Sequence, residues 1–154
     1  MVYEIPADAP KFSLQGTHTA RVVSIHDGDT LTCVVPFETT FYKFAVRLDG
    51  IDTAEMTSKT ELLKIKALLA RSRLFKLITE TNIDTVEWKK RDFDDYFLKH
   101  YTTVELECTE MDKYGRVLAN ISNFANILVN ERLAYRYNGG TKLTEFEQAK
   151  LLLI

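Results

Sequence analysis

Cysteine is scarce in this chain. Only Cys33 and Cys108 occur in 154 residues, far apart in strand-like stretches. Such a pair is no metal-binding spacing, and it reads first as two reduced, small apolar core residues and second as a disulfide. No apolar run approaches the roughly 18 to 20 residues that a bilayer-spanning helix needs. Residues 1–12 carry Glu4 and Asp8 in place of a basic segment followed by an apolar one. The expectation is therefore no membrane span and no visible export signal, which favours an intracellular over a secreted location and leaves the location itself open. Neither sign of charge dominates, with 20 Lys+Arg against 22 Asp+Glu and a formal charge of −2. A blanket of positive charge is thus excluded as a source of nucleic-acid affinity, and any phosphate must be met by a few placed cations. Repeats, low-complexity tracts and Gly/Ser linkers are also missing. What is there, 45% apolar residues at this length, suffices to bury roughly 70% of the unfolded surface in one domain without staples.

Residues 1–18, with Pro6 and Pro10, read as an extended arm, and 19–154 as a single domain. Val22, Val23 and Ile25 lead into Asp27-Gly28, a hairpin turn signal, followed by Leu31 to Val35. A third strand alternates Phe44, Val46 and Leu48 with Lys43, Ala45 and Arg47, so Arg47 faces away from the apolar row. Ser58 and Glu61 form a capping-box pattern ahead of a helix over 62–78. Its Lys64, Lys66, Arg71, Arg73 and Lys76 are either a solvated face or an auxiliary phosphate track. Residues 82–101 are charged and aromatic and read as an insertion of unassigned fold. A second hairpin turns at Asp112 to Gly115, a short helix covers 126–133, and Thr144 with Glu147 caps a last helix. Five short strands and about three helices make an α+β chain, a small partly open barrel carrying helices.

Three polar clusters lie where strands end: Asp27-Gly28-Asp29-Thr30, then Arg47-Leu48 with Asp52-Thr53-Ala54-Glu55, and Asp112-Lys113-Tyr114-Gly115-Arg116. Each alone is ordinary turn chemistry. Together with the Asn-x-x-Leu-Val-Asn-Glu helix that follows, they resemble the staphylococcal nuclease (thermonuclease-like) family in order, over about residues 22–150. The resemblance implies a five-stranded OB-fold barrel with three helices, and a Ca²⁺-dependent nuclease cleaving DNA and RNA, single strands preferred, to leave 3′-phosphate ends. By position it makes Asp29 and Asp52 the metal carboxylates, with the Thr53 carbonyl beside them and Asp27 close behind. It makes Glu55 the general base, and Arg47 and Arg116 the guanidinium groups that grip the scissile phosphate. Lys113 and Tyr114 match contacts to a neighbouring phosphate, and Tyr137 matches a ring lining the nucleotide pocket; Tyr135 is left open between core and surface.

Hard oxygen donors of this kind suit Ca²⁺ better than Zn²⁺, and His18, His26 and His100 form no ligand pattern. Removing either arginine is expected to cut turnover by on the order of 10² with little effect on folding. Ala54 stands where the family has proline, which frees the loop carrying Asp52 and Glu55. Nucleic acid is the expected partner, with no obligate protein partner and a monomeric state. Two other readings stay open. One is a non-catalytic OB-fold module that binds single strands or proteins. The other is an enzyme whose 82–101 segment selects its target.

Overall fold

The computed structural model describes residues 3–153. After an irregular stretch whose Leu14 is buried, β1 (Gly16–Asp27), β2 (Thr30–Phe37) and β3 (Thr40–Leu48) form an antiparallel meander. Pairing thus starts at Gly16, so the last three residues of the expected arm are strand. The two-residue β4 (Ile51–Asp52) and the long helix α1 (Glu61–Thr79) come next. Then follow α2 (Lys90–Lys99), β5 (Thr103–Met111) and β6 (Val117–Asn120). The chain ends with α3 (Phe124–Asn130), β7 (Tyr135–Arg136) and α4 (Glu145–Leu152). Among the described residues no helix is long and apolar enough to cross a membrane.

The barrel closes in the order β1-β2-β3-β6-β5. β1 is long enough to serve both ends of that order: residues 16–21 pair with β5 and residues 21–27 with β2. The β3–β6 contact is parallel, from Val46↔Val117 to Leu48↔Ala119. Alternation fills the interior, since Ala20, Val22, Leu31, Cys33, Val35, Val46, Leu48, Leu106, Val117 and Ala119 all point inward and are buried. Register shifts in β1 between Val22 and Ser24 and between Ile25 and Asp27 mark bulges. They explain why the neighbours Ser24 and Ile25 are both buried. Both cysteines are free and buried, as expected. Burial pushes the Cys33 thiol up to about 12, the behaviour of a packing residue.

Among the described residues four helices stand where about three were expected, because residues 82–101 contain α2. Its Phe93 and Phe97, both fully buried, meet Phe75 of α1 at ring separations of 5.8 Å, and Trp88 meets Phe75 at 5.3 Å. The segment is a structural plug on the barrel, so excising it would open the core. A second correction concerns the start of α1. Thr60 is the N-cap and its side chain makes no capping bond. The exposed donors go instead to Glu145 of α4, which accepts from Ser58 Oγ at 2.6 Å and from Thr60 N at 3.0 Å. Glu61 pairs with Lys64. The Thr144–Glu147 capping box of α4 forms as expected.

Candidate active site

Gly28 shows how tightly the first turn is held. A Cβ there would lie 2.5 Å from the Ala70 Cβ of α1. The turn needs glycine because a helix backs directly onto it. Thr30 Oγ1 donates to Asp27 Oδ2 at 3.1 Å, closing the turn and leaving Asp29 beside it, only 4% exposed. Opposite Thr30 in the β2–β3 ladder is Arg47, directed out of the barrel by strand alternation. Its Nη2 lies 3.5 Å from Asp29 Oδ2 and 3.3 Å from Asp52 Oδ1, so one guanidinium bridges two buried carboxylates.

Asp52 arrives through the short β4–β7 pair, in which it stands opposite Tyr135. The Tyr135 hydroxyl donates to Asp52 Oδ2 at 2.9 Å. Burial and the Asp52 charge raise that phenol well above its ordinary pKa, which keeps it a donor. The Thr53 amide donates to the other Asp52 oxygen at 3.0 Å. The loop lacking proline is held by packing instead, since Ala54 is buried with Leu63, Ala67, Tyr135 and Leu152. Glu55 is half free in water, and Lys142 Nζ binds its Oε1 at 2.6 Å while lying 3.5 Å from Asp52 Oδ2. Burial works against the Lys142 ammonium, yet the hydrogen bond to Glu55 and the charges of Asp52 and Glu55 raise its pKa.

The third cluster is organised by Asp112. One of its oxygens accepts from the amides of Tyr114 and Arg116, each at 2.9 Å, and the other accepts from Arg116 Nε at 2.7 Å. Burial pushes this carboxyl up, but those bonds outweigh it and hold the pKa low. Arg116 also lies 5.7 Å from the exposed Tyr114 ring, and Arg47 lies 5.5 Å from that of Tyr137.

Asp27, Asp29, Arg47, Asp52, Thr53, Glu55, Lys113, Tyr114, Arg116 and Tyr137 all line one cleft of about 870 Å³. No protein-family model matches the chain, and no curated protein matches it. The cleft must therefore be read from its own chemistry. Seven carboxylates line it against four cationic side chains. Burial first, and then the neighbouring Asp52, push the Asp29 carboxyl far above the usual range, while Arg47 opposes them. The excess of carboxylates disfavours entry of an anion. Among the described residues no group of three or more His, Cys, Asp or Glu side chains is clustered to cage a metal. What the cleft offers is two buried carboxylates, Asp29 and Asp52, hard oxygen donors of the class that hard divalent cations prefer.

The basic face of α1 resolves against a phosphate track. Arg71 is buried and donates to the Trp88 carbonyl, Arg73 is paired with Glu131 at 2.8 and 2.9 Å, and Lys66 donates to the Arg132 carbonyl. Sequence reasoning missed Lys142 and left Tyr135 open. Tyr135 was within reach, because it shares the strand face of Tyr137 two residues on; nothing in Gly-Gly-Thr-Lys announces a site lysine.

Proposed function

We propose that the protein is a Ca²⁺-dependent phosphodiesterase of the staphylococcal-nuclease type, acting on single-stranded nucleic acid. The observation that carries this reading is the meeting of both guanidinium groups, the two buried carboxylates and Glu55 in a single cleft from three separate polar clusters of the chain. The barrel architecture, closed by a parallel β3–β6 contact, supports an OB-type assignment.

In-line attack of water at phosphorus spreads negative charge over the equatorial oxygens, and planar guanidinium forks meet two such oxygens at once. Arg116, braced by Asp112, supplies one fork from an already ordered turn. Arg47 supplies the other from the strand floor. Glu55, accessible at the cleft mouth, takes the proton from the attacking water. A cation bound by Asp29, Asp52 and the Thr53 carbonyl would supply the positive charge that the cleft lacks and polarise the phosphoryl oxygen. Lys113 orients a neighbouring phosphate, and the exposed Tyr114 ring and the half-buried Tyr137 ring offer faces to unstacked bases, which favours single strands over duplex.

Incubating the purified protein with single-stranded DNA in Ca²⁺, and in parallel with chelator, tests the reading. The expected result is cleavage to 3′-phosphate ends in the first tube and intact strand in the second. A strand left whole in both makes the protein a binder and sinks the assignment.

A further inference from the structure

We propose that Lys142 is an internal counter-ion that occupies the carboxylate end of the cleft and is exchanged for a divalent cation, so that metal entry releases a fourth positive group toward the substrate backbone. The inference rests on the metal reading above and concerns how that site is regulated. Lys142 Nζ contacts Glu55 Oε1 at 2.6 Å and Asp52 Oδ2 at 3.5 Å, so a single ammonium serves both a prospective metal ligand and the prospective base. A cation coordinated by Asp52 and this ammonium would repel one another at short range in a partly buried setting.

The two cations that touch the carboxylates differ in how they are held. Arg47 is 14% exposed and sandwiched between Asp29 and Asp52, whereas Lys142 is 38% exposed on a flexible four-carbon stem. The lysine can return to water cheaply, and the arginine cannot. Lys142 is delivered by the segment between β7 and α4, where Gly139 and Gly140 take left-handed φ values of 92° and 82°. The Tyr137 hydroxyl fixes that bend by donating to the Gly140 carbonyl at 2.6 Å. The strap is thus anchored on one side by Tyr137, a cleft-lining ring, and on the other by the Thr144 cap of α4. Once freed from Glu55, the ammonium remains tethered at the cleft wall, where it meets an incoming phosphate and leaves the base unencumbered.

Calorimetric Ca²⁺ titration of the wild type, Lys142→Met, Lys142→Arg and Lys43→Met tests this, the last removing the same charge from an exposed site outside the cleft. Lys142→Met is expected to bind Ca²⁺ about three- to tenfold more tightly than the wild type. Lys142→Arg should stay near the wild-type affinity, and Lys43→Met should change it less than twofold. Unchanged or weaker Ca²⁺ binding in Lys142→Met overturns the proposal, as does a wild type and variant that both fail to bind Ca²⁺. Assaying the same samples on single-stranded DNA keeps the two ideas apart. A tighter-binding variant with no cleavage by any protein sinks the nuclease reading and leaves the exchange standing, and cleavage with equal affinities does the reverse.

Discussion

The two arginines of the cleft have different neighbours, and that difference sets what their removal does. Arg116 is 35% exposed at its side chain and leans on Asp112, itself satisfied by two backbone amides. Under the proposed reaction, replacing it with alanine removes a donor to the transition state and, in the fold, one part-exposed ion pair. Turnover should fall by on the order of 10², with thermal stability nearly unchanged. Arg47 is the shared counter-charge of Asp29 and Asp52, and alanine there leaves two buried carboxylates facing each other without it. Little effect on folding is therefore predicted for Arg116 and a larger one for Arg47. Arg47→Ala should cost activity and also about 3–5 kcal/mol of metal-free stability, the usual penalty for breaking a buried ion pair from one side. Parallel kinetics and denaturant unfolding of the two variants check this, and equal stability losses would remove the distinction.

At the scale of elements, one carboxylate joins two helices. Glu145, the first residue of α4, accepts from Ser58, Lys59 and Thr60 at the start of α1. The hydroxyls of Ser58 and Thr60 hold its carboxyl down at about 2. A carboxylate depressed on folding stabilises the protein above its unfolded pKa, near 4.5, and loses that contribution as pH falls through the folded value. Glu145→Ala should therefore melt a few degrees below the wild type at neutral pH, with the gap closing between about pH 4.5 and pH 2. Melting curves across that range read the gap directly. The same contact explains a limit of sequence reading. Ser58 and Glu61 carry the local capping pattern, but a partner 87 positions away from Ser58 outcompetes it. The α4 box, with no such rival, was legible. So were the turn clusters, whose Asp, Gly and Thr residues act on their own backbone. α2 was not, because its apolar residues are few among charges and only tertiary partners such as Phe75 and Trp88 reveal which face is inside. Lys142 belongs with α2: its role comes from where a glycine bend delivers it.

Over the whole molecule, negative charge is concentrated where the function is proposed. The chain nets −2, yet the cleft alone sets seven carboxylates against four cations. The remainder of the surface is close to balance, and the fold bears a local electrostatic cost in the absence of a cation. Asp29 carries the largest share of that cost that is visible. Its folded pKa is raised, first by burial and then by Asp52, so the folded state prefers it protonated. The sign is opposite to that of Glu145: the cost is absent below the unfolded pKa near 3.8 and grows as pH rises toward about 7. Metal-free protein should lose melting temperature between about pH 4 and pH 7, while Asp29→Asn, which removes the charge, should lose less and melt higher at pH 8. Ca²⁺ at about 100 times its dissociation constant contributes roughly 2.7 kcal/mol. At about 2–4 °C per kcal/mol for a domain of this size, that raises the wild-type melting temperature by roughly 5–10 °C at pH 8. The gain should shrink at pH 5, where protons compete for the same oxygens, and vanish in Asp29→Asn. A Ca²⁺ shift of equal size in wild type and variant would place the cation elsewhere and detach the buried carboxylates from metal binding.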